Sequence, residues 1–261
     1  MSRWRPPAAL VVSVLIAGVA ALSATWSGPE ARSVAVRALP PASRSALTVL
    51  KPRALRREPY LSRWAPLRHA VTARSAPSPS AAAVVRLERL TPEGTRHAVP
   101  VLARRRDARG RLWLRVRLPM LPNGRTGWLP RRALGAYELA RQRLVVDLDS
   151  LQATLRSRGR RVFRAPIGVG RARWPTPRGE FLIRNRLERY RSPRYGPVAF
   201  GTSARSPTLT DWPAGGFIGI HGTDRPELLP GRVSHGCIRM RNADILRLAR
   251  LMPVGTPVTI R

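Results

Sequence analysis

Along most of the chain, short apolar runs alternate with turn-forming residues at strand rather than helix spacing. Leu112, Leu114, Val116 and Leu118 alternate with Trp113, Arg115 and Arg117, the period-two mark of a strand with one buried face. Asn123-Gly124 is a tight-turn signal, and Gly127-Trp128-Leu129-Pro130 reads as a short closing strand. The stretch from Ala82 to Leu134 is thus predicted to be a small unit of short strands, with Trp113 and Trp128 in its core. Further on, Leu144-Val145-Val146-Asp147-Leu148 predicts a strand, and Leu151 to Leu155 meets a turn at Arg158-Gly159-Arg160 before Val162 to Val169. Trp174-Pro175-Thr176-Pro177-Arg178-Gly179 breaks any ladder. Strand character resumes at Glu180-Phe181-Leu182-Ile183, and a loop rich in Ser, Pro and Gly follows. Phe217-Ile218-Gly219-Ile220-His221 is another strand, with Phe217, Gly219 and His221 on one face. Asn242 reads simply as a helix N-cap, and Ala243 to Met252 carries Ile245, Leu248 and Met252 at helical spacing. Val258-Thr259-Ile260 makes a last strand. The fold class is mainly β with one helix, and residues 142–261 suffice for a domain with its own core.

Two earlier stretches depart from this pattern. Ala8 to Ala24 is apolar apart from Ser13, Gly18 and Ser23, and follows Arg3 and Arg5. Such a segment resembles a secretory signal, with cleavage after Ala21 or Ala24, and its length also fits an uncleaved anchor. Residues 1–26 are therefore expected to be a signal peptide or signal anchor that sends the rest to the cell envelope. Residues 27–80 are rich in Pro, Ala, Ser and Arg and poor in aromatic and β-branched residues, so an extended linker is expected there.

Charge narrows the class of partner. The 261 residues hold 48 Lys plus Arg against 14 Asp plus Glu, a net charge of +34, and Lys51 is the only lysine. Such a chain attracts polyanions, which for an exported protein are anionic cell-wall polymers or lipid headgroups. Nucleic acid is set aside as a partner, because the chain lacks zinc-finger spacing and RNP-like aromatics and carries an export segment.

The candidate chemistry is concentrated around Cys237, the only cysteine, which therefore has no intramolecular disulfide partner. His221 and His235 are two of the four histidines and offer bases near the thiol. A free thiol is only a few per cent ionised at neutral pH, and an adjacent imidazole can take its proton to form a thiolate–imidazolium pair. Asp224, Asp244 or a backbone carbonyl could fix the imidazole tautomer. Backbone N–H groups around Gly236 and Cys237 could form an oxyanion hole. That set supports acyl transfer through a thioester. A zinc site from His221, His235 and Cys237 lacks a fourth ligand and a close ligand pair, so no metal or organic cofactor is expected.

Here the motifs resemble a known family. His221-Gly222-Thr223, a loop, and Ser234-His235-Gly236-Cys237-Ile238-Arg239 resemble the signature of the L,D-transpeptidases, the YkuD-type enzymes that cross-link peptidoglycan. Thr176-Pro177-Arg178-Gly179-Glu180-Phe181 and Pro253-Val254-Gly255-Thr256-Pro257-Val258 are similar to two further segments of that family. The resemblance implies a β-sandwich-like catalytic domain with one helix after the catalytic cysteine. By position it makes Cys237 the acylated nucleophile, His221 its base and the Gly222 carbonyl the group that orients the base. Ser234, His235, Gly236 and Arg239 would shape the cavity, with Arg239 meeting a substrate carboxylate. The loop 222–233 is shorter than is usual in the family, which bears on acceptor-side contacts. The implied substrates are peptidoglycan stem peptides joined by 3→3 cross-links. The same site implies a carboxypeptidase or exchange enzyme if water or a free D-amino acid is the acceptor, and carbapenems as acylating inhibitors. A catalytically inactive wall-binding protein is the non-enzymatic alternative. Residues 82–135, through Asn123-Gly124-Arg125-Thr126-Gly127-Trp128-Leu129-Pro130, resemble a bacterial SH3-like β-barrel.

Overall fold

The computed structural model describes residues 53–54, 61–188, 192–209 and 216–261. The export segment and the first part of the expected linker lie outside the described residues. Eight strands form a first sheet: β1 (Arg53–Ala54), β2 (Ser62–Pro66), β3 (Val71–Arg74), β4 (Ala83–Leu87), β5 (Ala98–Arg106), β6 (Leu112–Arg117), β7 (Thr126–Pro130) and β8 (Glu138–Ala140). Their order is β4-β3-β7-β6-β5-β2-β8, with β1 paired to β5. Leu67, Val99, Val101, Leu114, Val116 and Leu129 meet in one core cluster, so the sheet curls around its apolar face.

One sequence expectation changes here. The linker was expected to run to residue 80, yet β2 and β3 are ladder strands of the sheet, paired with β5, β8, β4 and β7. Small apolar residues hide them: Ala65 and Ala73 are fully buried in an Arg- and Ser-rich stretch, and backbone pairing supplies what composition does not. Trp113 and Trp128 are buried, as expected of core residues. The Trp113 indole N–H also donates to Asp107 at 3.0 Å.

The second sheet has ten strands: β9 (Gln142–Asp147), β10 (Gln152–Ser157), β11 (Arg160–Pro166), β12 (Gly168–Gly170), β13 (Gly179–Glu188), β14 (Val198–Arg205), β15 (Phe217–His221), β16 (Gly231–Ser234), β17 (Ile238–Arg239) and β18 (Pro257–Ile260). Their order is β11-β10-β9-β18-β13-β14-β15-β17-β12-β16. Both halves feed one core, with Leu144, Phe163, Phe181, Phe200, Ile220 and Ile238 in the same cluster. The helix α1 (Asn242–Leu251) adds Ile245 and Leu248 to it. Its last turn is tied down by Arg186, which donates to the Ala249 carbonyl at 2.7 Å.

Strand β14 occupies sequence read as loop. Its Thr202 and Ser203 are buried but satisfied by the backbone: Thr202 Oγ1 donates to the Ile218 carbonyl at 2.7 Å, and Ser203 Oγ accepts from the Leu182 N–H at 3.0 Å. Hydroxyls used this way cost little to bury.

The two sheets meet through polar groups. Arg184 of β13 is fully buried, donates Nε to the Thr202 carbonyl at 2.9 Å, and pairs with Glu93 of the first unit at 3.0 Å. Asn185 donates to the other Glu93 oxygen at 3.0 Å and to Thr95 at 3.1 Å. Asn123, the turn residue before β7, uses both ends of its amide on the Arg205 backbone, at 2.8 and 3.0 Å. Burial alone would raise the Glu93 pKa, but Arg184 and Thr91 outweigh it and hold the carboxyl below its ordinary value. On its far side the Arg184 guanidinium lies 3.8 Å from the Phe217 ring centroid.

Removing one member of a buried ion pair strands the other charge. Glu93→Gln is expected to lower the unfolding free energy by about 3 kcal/mol or more in urea titrations. Asp149→Asn, which breaks the exposed pair with Arg178, is expected to cost less than about 1 kcal/mol. Equal effects of the two changes would show that the joint is not energetically special.

Candidate active site

Strands β15 and β17 run parallel, with Ile220 opposite Ile238 and His221 opposite Arg239. This register brings the end of one strand beside the turn that precedes the other, and so brings His221 and Cys237 to one place. The built Cβ position of Gly219 lies 3.7 Å from His221 Cδ2 and 3.8 Å from Cys237 Sγ. Both residues line a cavity of about 410 Å³, together with Ser234, His235 and Arg239.

His221 is 3% exposed. Its Nδ1 lies 2.6 Å from the Gly222 carbonyl, which can only accept, so Nδ1 carries the proton and Nε2 keeps a lone pair. The Tyr195 ring packs on the imidazole, with centroids 4.6 Å apart. Asn242 holds this turn in place. Its Oδ1 accepts from the Thr223 N–H at 3.0 Å and lies where any side chain at position 222 would have to go. Reading Asn242 as a simple cap is therefore incorrect: α1 begins at Asn242 itself, and its amide serves the His221 loop. From sequence, a local role for Asn was the default; its partner lies nineteen residues away.

The cysteine sits on a turn fixed from both sides. Gly236 has φ +110, a conformation that favours glycine. Ser234 Oγ accepts from the Gly236 N–H at 3.1 Å and donates to the Cys237 carbonyl at 2.5 Å. Buried Thr176 accepts from the Gly170 N–H at 2.9 Å and donates to the Gly236 carbonyl at 2.7 Å. His235 is turned against Trp174, with ring centroids 4.2 Å apart. The Gly219 N–H points at Cys237 Sγ over 3.3 Å. Since the Gly236 N–H is engaged by Ser234, it is not available to an oxyanion. Gly219 and Thr176 had no assigned role from sequence, because both act across the fold rather than along the chain.

Electrostatics alter the expected ionisation. Burial pushes the Cys237 thiol up from its ordinary value, against the Gly219 N–H and the Arg239 guanidinium, which favour the thiolate. Burial likewise holds the His221 imidazolium down, to about 4, against the pull of the Gly222 carbonyl; Arg239 lowers it further and Asp224 opposes. His235 is lowered by burial and by Arg171 and Arg239. Both shifts favour the uncharged forms, a thiol beside a neutral imidazole, over a thiolate–imidazolium pair. Among the described residues, no group of three or more His, Cys, Asp and Glu side chains is placed to hold a metal ion.

Residues 141–260 match the YkuD family, the L,D-transpeptidase catalytic domain. A Bacillus licheniformis protein named L,D-transpeptidase YkuD is 40% identical over 118 residues, which are 45% of this chain and 64% of that protein. Its Bacillus subtilis namesake is 39% identical over 117 residues, again 45% and 64%. The chain thus spans just under two thirds of these relatives. The catalytic domain of the E. faecium L,D-transpeptidase is a structural neighbour at 25% identity and a TM-score of 0.35, covering 46% of this chain and 96% of that one.

A neutral thiol–imidazole pair makes a kinetic prediction. Alkylation of Cys237 by iodoacetamide should keep accelerating from about pH 6 to about pH 9, as the thiolate fraction grows. A rate that levels off below about pH 7 would mean a preformed ion pair instead. Thr176→Val keeps the shape but removes the bridge between Gly170 and Gly236. It is expected to lower the unfolding free energy by roughly 1–3 kcal/mol and to slow Cys237 alkylation, measured by urea titration and mass spectrometry. Parental values for both would remove Thr176 from the site.

Proposed function

We propose that this chain is an exported peptidoglycan L,D-transpeptidase that joins stem peptides through a thioester on Cys237. The observation that carries the reading is that a lone thiol and an imidazole whose Nδ1–H meets the Gly222 carbonyl line the same open cavity. The match of residues 141–260 to the L,D-transpeptidase catalytic domain supports the same reaction class.

The steps follow from the protonation states. As the donor stem enters, Nε2 of His221 takes the thiol proton while Sγ attacks the carbonyl carbon of the diamino acid at position three. The Gly219 N–H steadies the sulfur as its charge develops. The Cys237 N–H faces the developing oxyanion. The C–N bond to the terminal D-residue breaks, and the imidazolium protonates the departing amine, leaving a thioester. The side-chain amine of a second stem then attacks this thioester. It gives its proton to His221, which returns it to the sulfur as the C–S bond breaks. The product carries a 3→3 cross-link, and water or a free D-amino acid in place of the amine gives hydrolysis or exchange at the same site.

Location follows from substrate: stem peptides lie in the envelope, where the N-terminal apolar segment would deliver the chain. The first sheet, read as an SH3-like module, would sit against the catalytic unit, and the surplus of arginine would favour anionic wall polymers.

Incubating the protein with disaccharide-tetrapeptide should yield a covalent acyl adduct on Cys237 and 3→3 dimers, both visible by mass spectrometry. Cys237→Ala should fold normally and make neither. Neither a stem adduct nor a carbapenem adduct on the parent protein would sink the enzymatic reading in favour of a wall-binding role.

A further inference from the structure

The rim of the catalytic cavity is far more basic than its chemistry requires. Arg171, Arg194, Arg225 and Arg239 all line it, against a single carboxylate among the described residues, Asp224. They come from four different places. Arg171 follows β12 and is anchored by its N–H to the Ser234 carbonyl at 3.0 Å. Arg194 precedes the Tyr195 that covers His221, Arg225 follows the Thr223 turn with its N–H on Thr223 Oγ1 at 3.1 Å, and Arg239 faces His221 across the ladder. Arg171, Arg194 and Arg225 are exposed, and Arg239 is half-buried with its Nε left without a partner.

None of the four makes an ion pair among the described residues, although seven other arginines do. Among the described residues, the ion-paired carboxylates thus lie elsewhere, and the four guanidinium groups outnumber Asp224 at the cavity mouth. That field already reaches the site, since Arg239 disfavours the His221 cation and Arg171 disfavours that of His235. A cleft lined by one sign of charge concentrates ligands of the opposite sign, and guanidinium groups match carboxylates bidentately.

We infer that this guanidinium collar makes the enzyme selective for donor stems whose second- and third-residue side carboxylates are free, and that it discriminates against stems in which those groups are carboxamides. The inference rests on the transpeptidase reading and adds to it a substrate form. Amidation keeps the shape of the stem and removes only its charge, so a preference between the two forms isolates the electrostatic contribution.

The test compares kcat/KM for a free-acid tetrapeptide stem with that for its amidated counterpart, at about 0.05 M and about 0.5 M salt. Exposed charge contacts of this kind each contribute about two- to fivefold, so three or four together predict a preference of roughly tenfold or more for the free acid, shrinking at high salt. The combined variant Arg171→Gln, Arg194→Gln, Arg225→Gln should bring the ratio close to one, mainly by raising KM for the free acid. Arg156, Arg161 and Arg164 line a separate groove on the open face of β10 and β11. Changing these three to Gln removes the same charge and should leave the ratio as in the parent. The inference is overturned if the parent shows no preference or favours the amide, if the cavity variant keeps the parental ratio, or if both triple variants lower it equally. If neither stem is turned over, the transpeptidase reading fails, and the collar is then judged by calorimetric binding of both stems to Cys237→Ala. Tighter binding of the free acid upholds the collar; equal binding overturns it.

Discussion

The parallel register between β15 and β17 is the constraint from which the catalytic geometry follows. Ile220 and Ile238 sit opposite one another and are fully buried, so the pairing is pinned by the core beneath it. A slip of either strand by one residue would turn its isoleucine out of that core and carry the neighbouring His221 or Arg239 to the wrong face. Cys237 and His221 are therefore positioned by hydrophobic packing, and polar contacts refine their placement. Asn242 sets the turn after His221, while Ser234 and Thr176 set the turn before Cys237.

The same burial governs the chemistry. A buried imidazole and a half-buried thiol are both shifted toward their uncharged forms, since removing either ion from solvent costs more than the nearby dipoles return. In the proposed reaction, charge separation would be reserved for the moment of attack, when the substrate's developing charges and backbone donors compensate it. A thiol shifted this way would react more slowly with alkylating and oxidising agents than a standing thiolate.

Strands with clear alternation or dense β-branched runs, such as β6, β9, β15 and β18, and the helix α1 were legible in the sequence. Those that escaped notice share one property: their information lies in partners far along the chain. β14 looks like loop because Thr202 and Ser203 are polar, yet each hydroxyl meets a backbone group of another strand. β2 and β3 look like linker because Ala65 and Ala73 carry little hydrophobic signal on their own. At the site, a single cysteine near two histidines was conspicuous. The ionisation of the pair was not, because it depends on how deeply the fold buries each group.

The joint between the sheets has a consequence for how the chain can be divided. Arg184 lies inside the catalytic unit, but its carboxylate lies in the unit before it. A fragment cut at residue 141 would carry an orphaned cation under Phe217, a wall of the catalytic cavity. The two halves are therefore not interchangeable beads, and recombination that swapped the leading half would have to bring its own acid to the same spot.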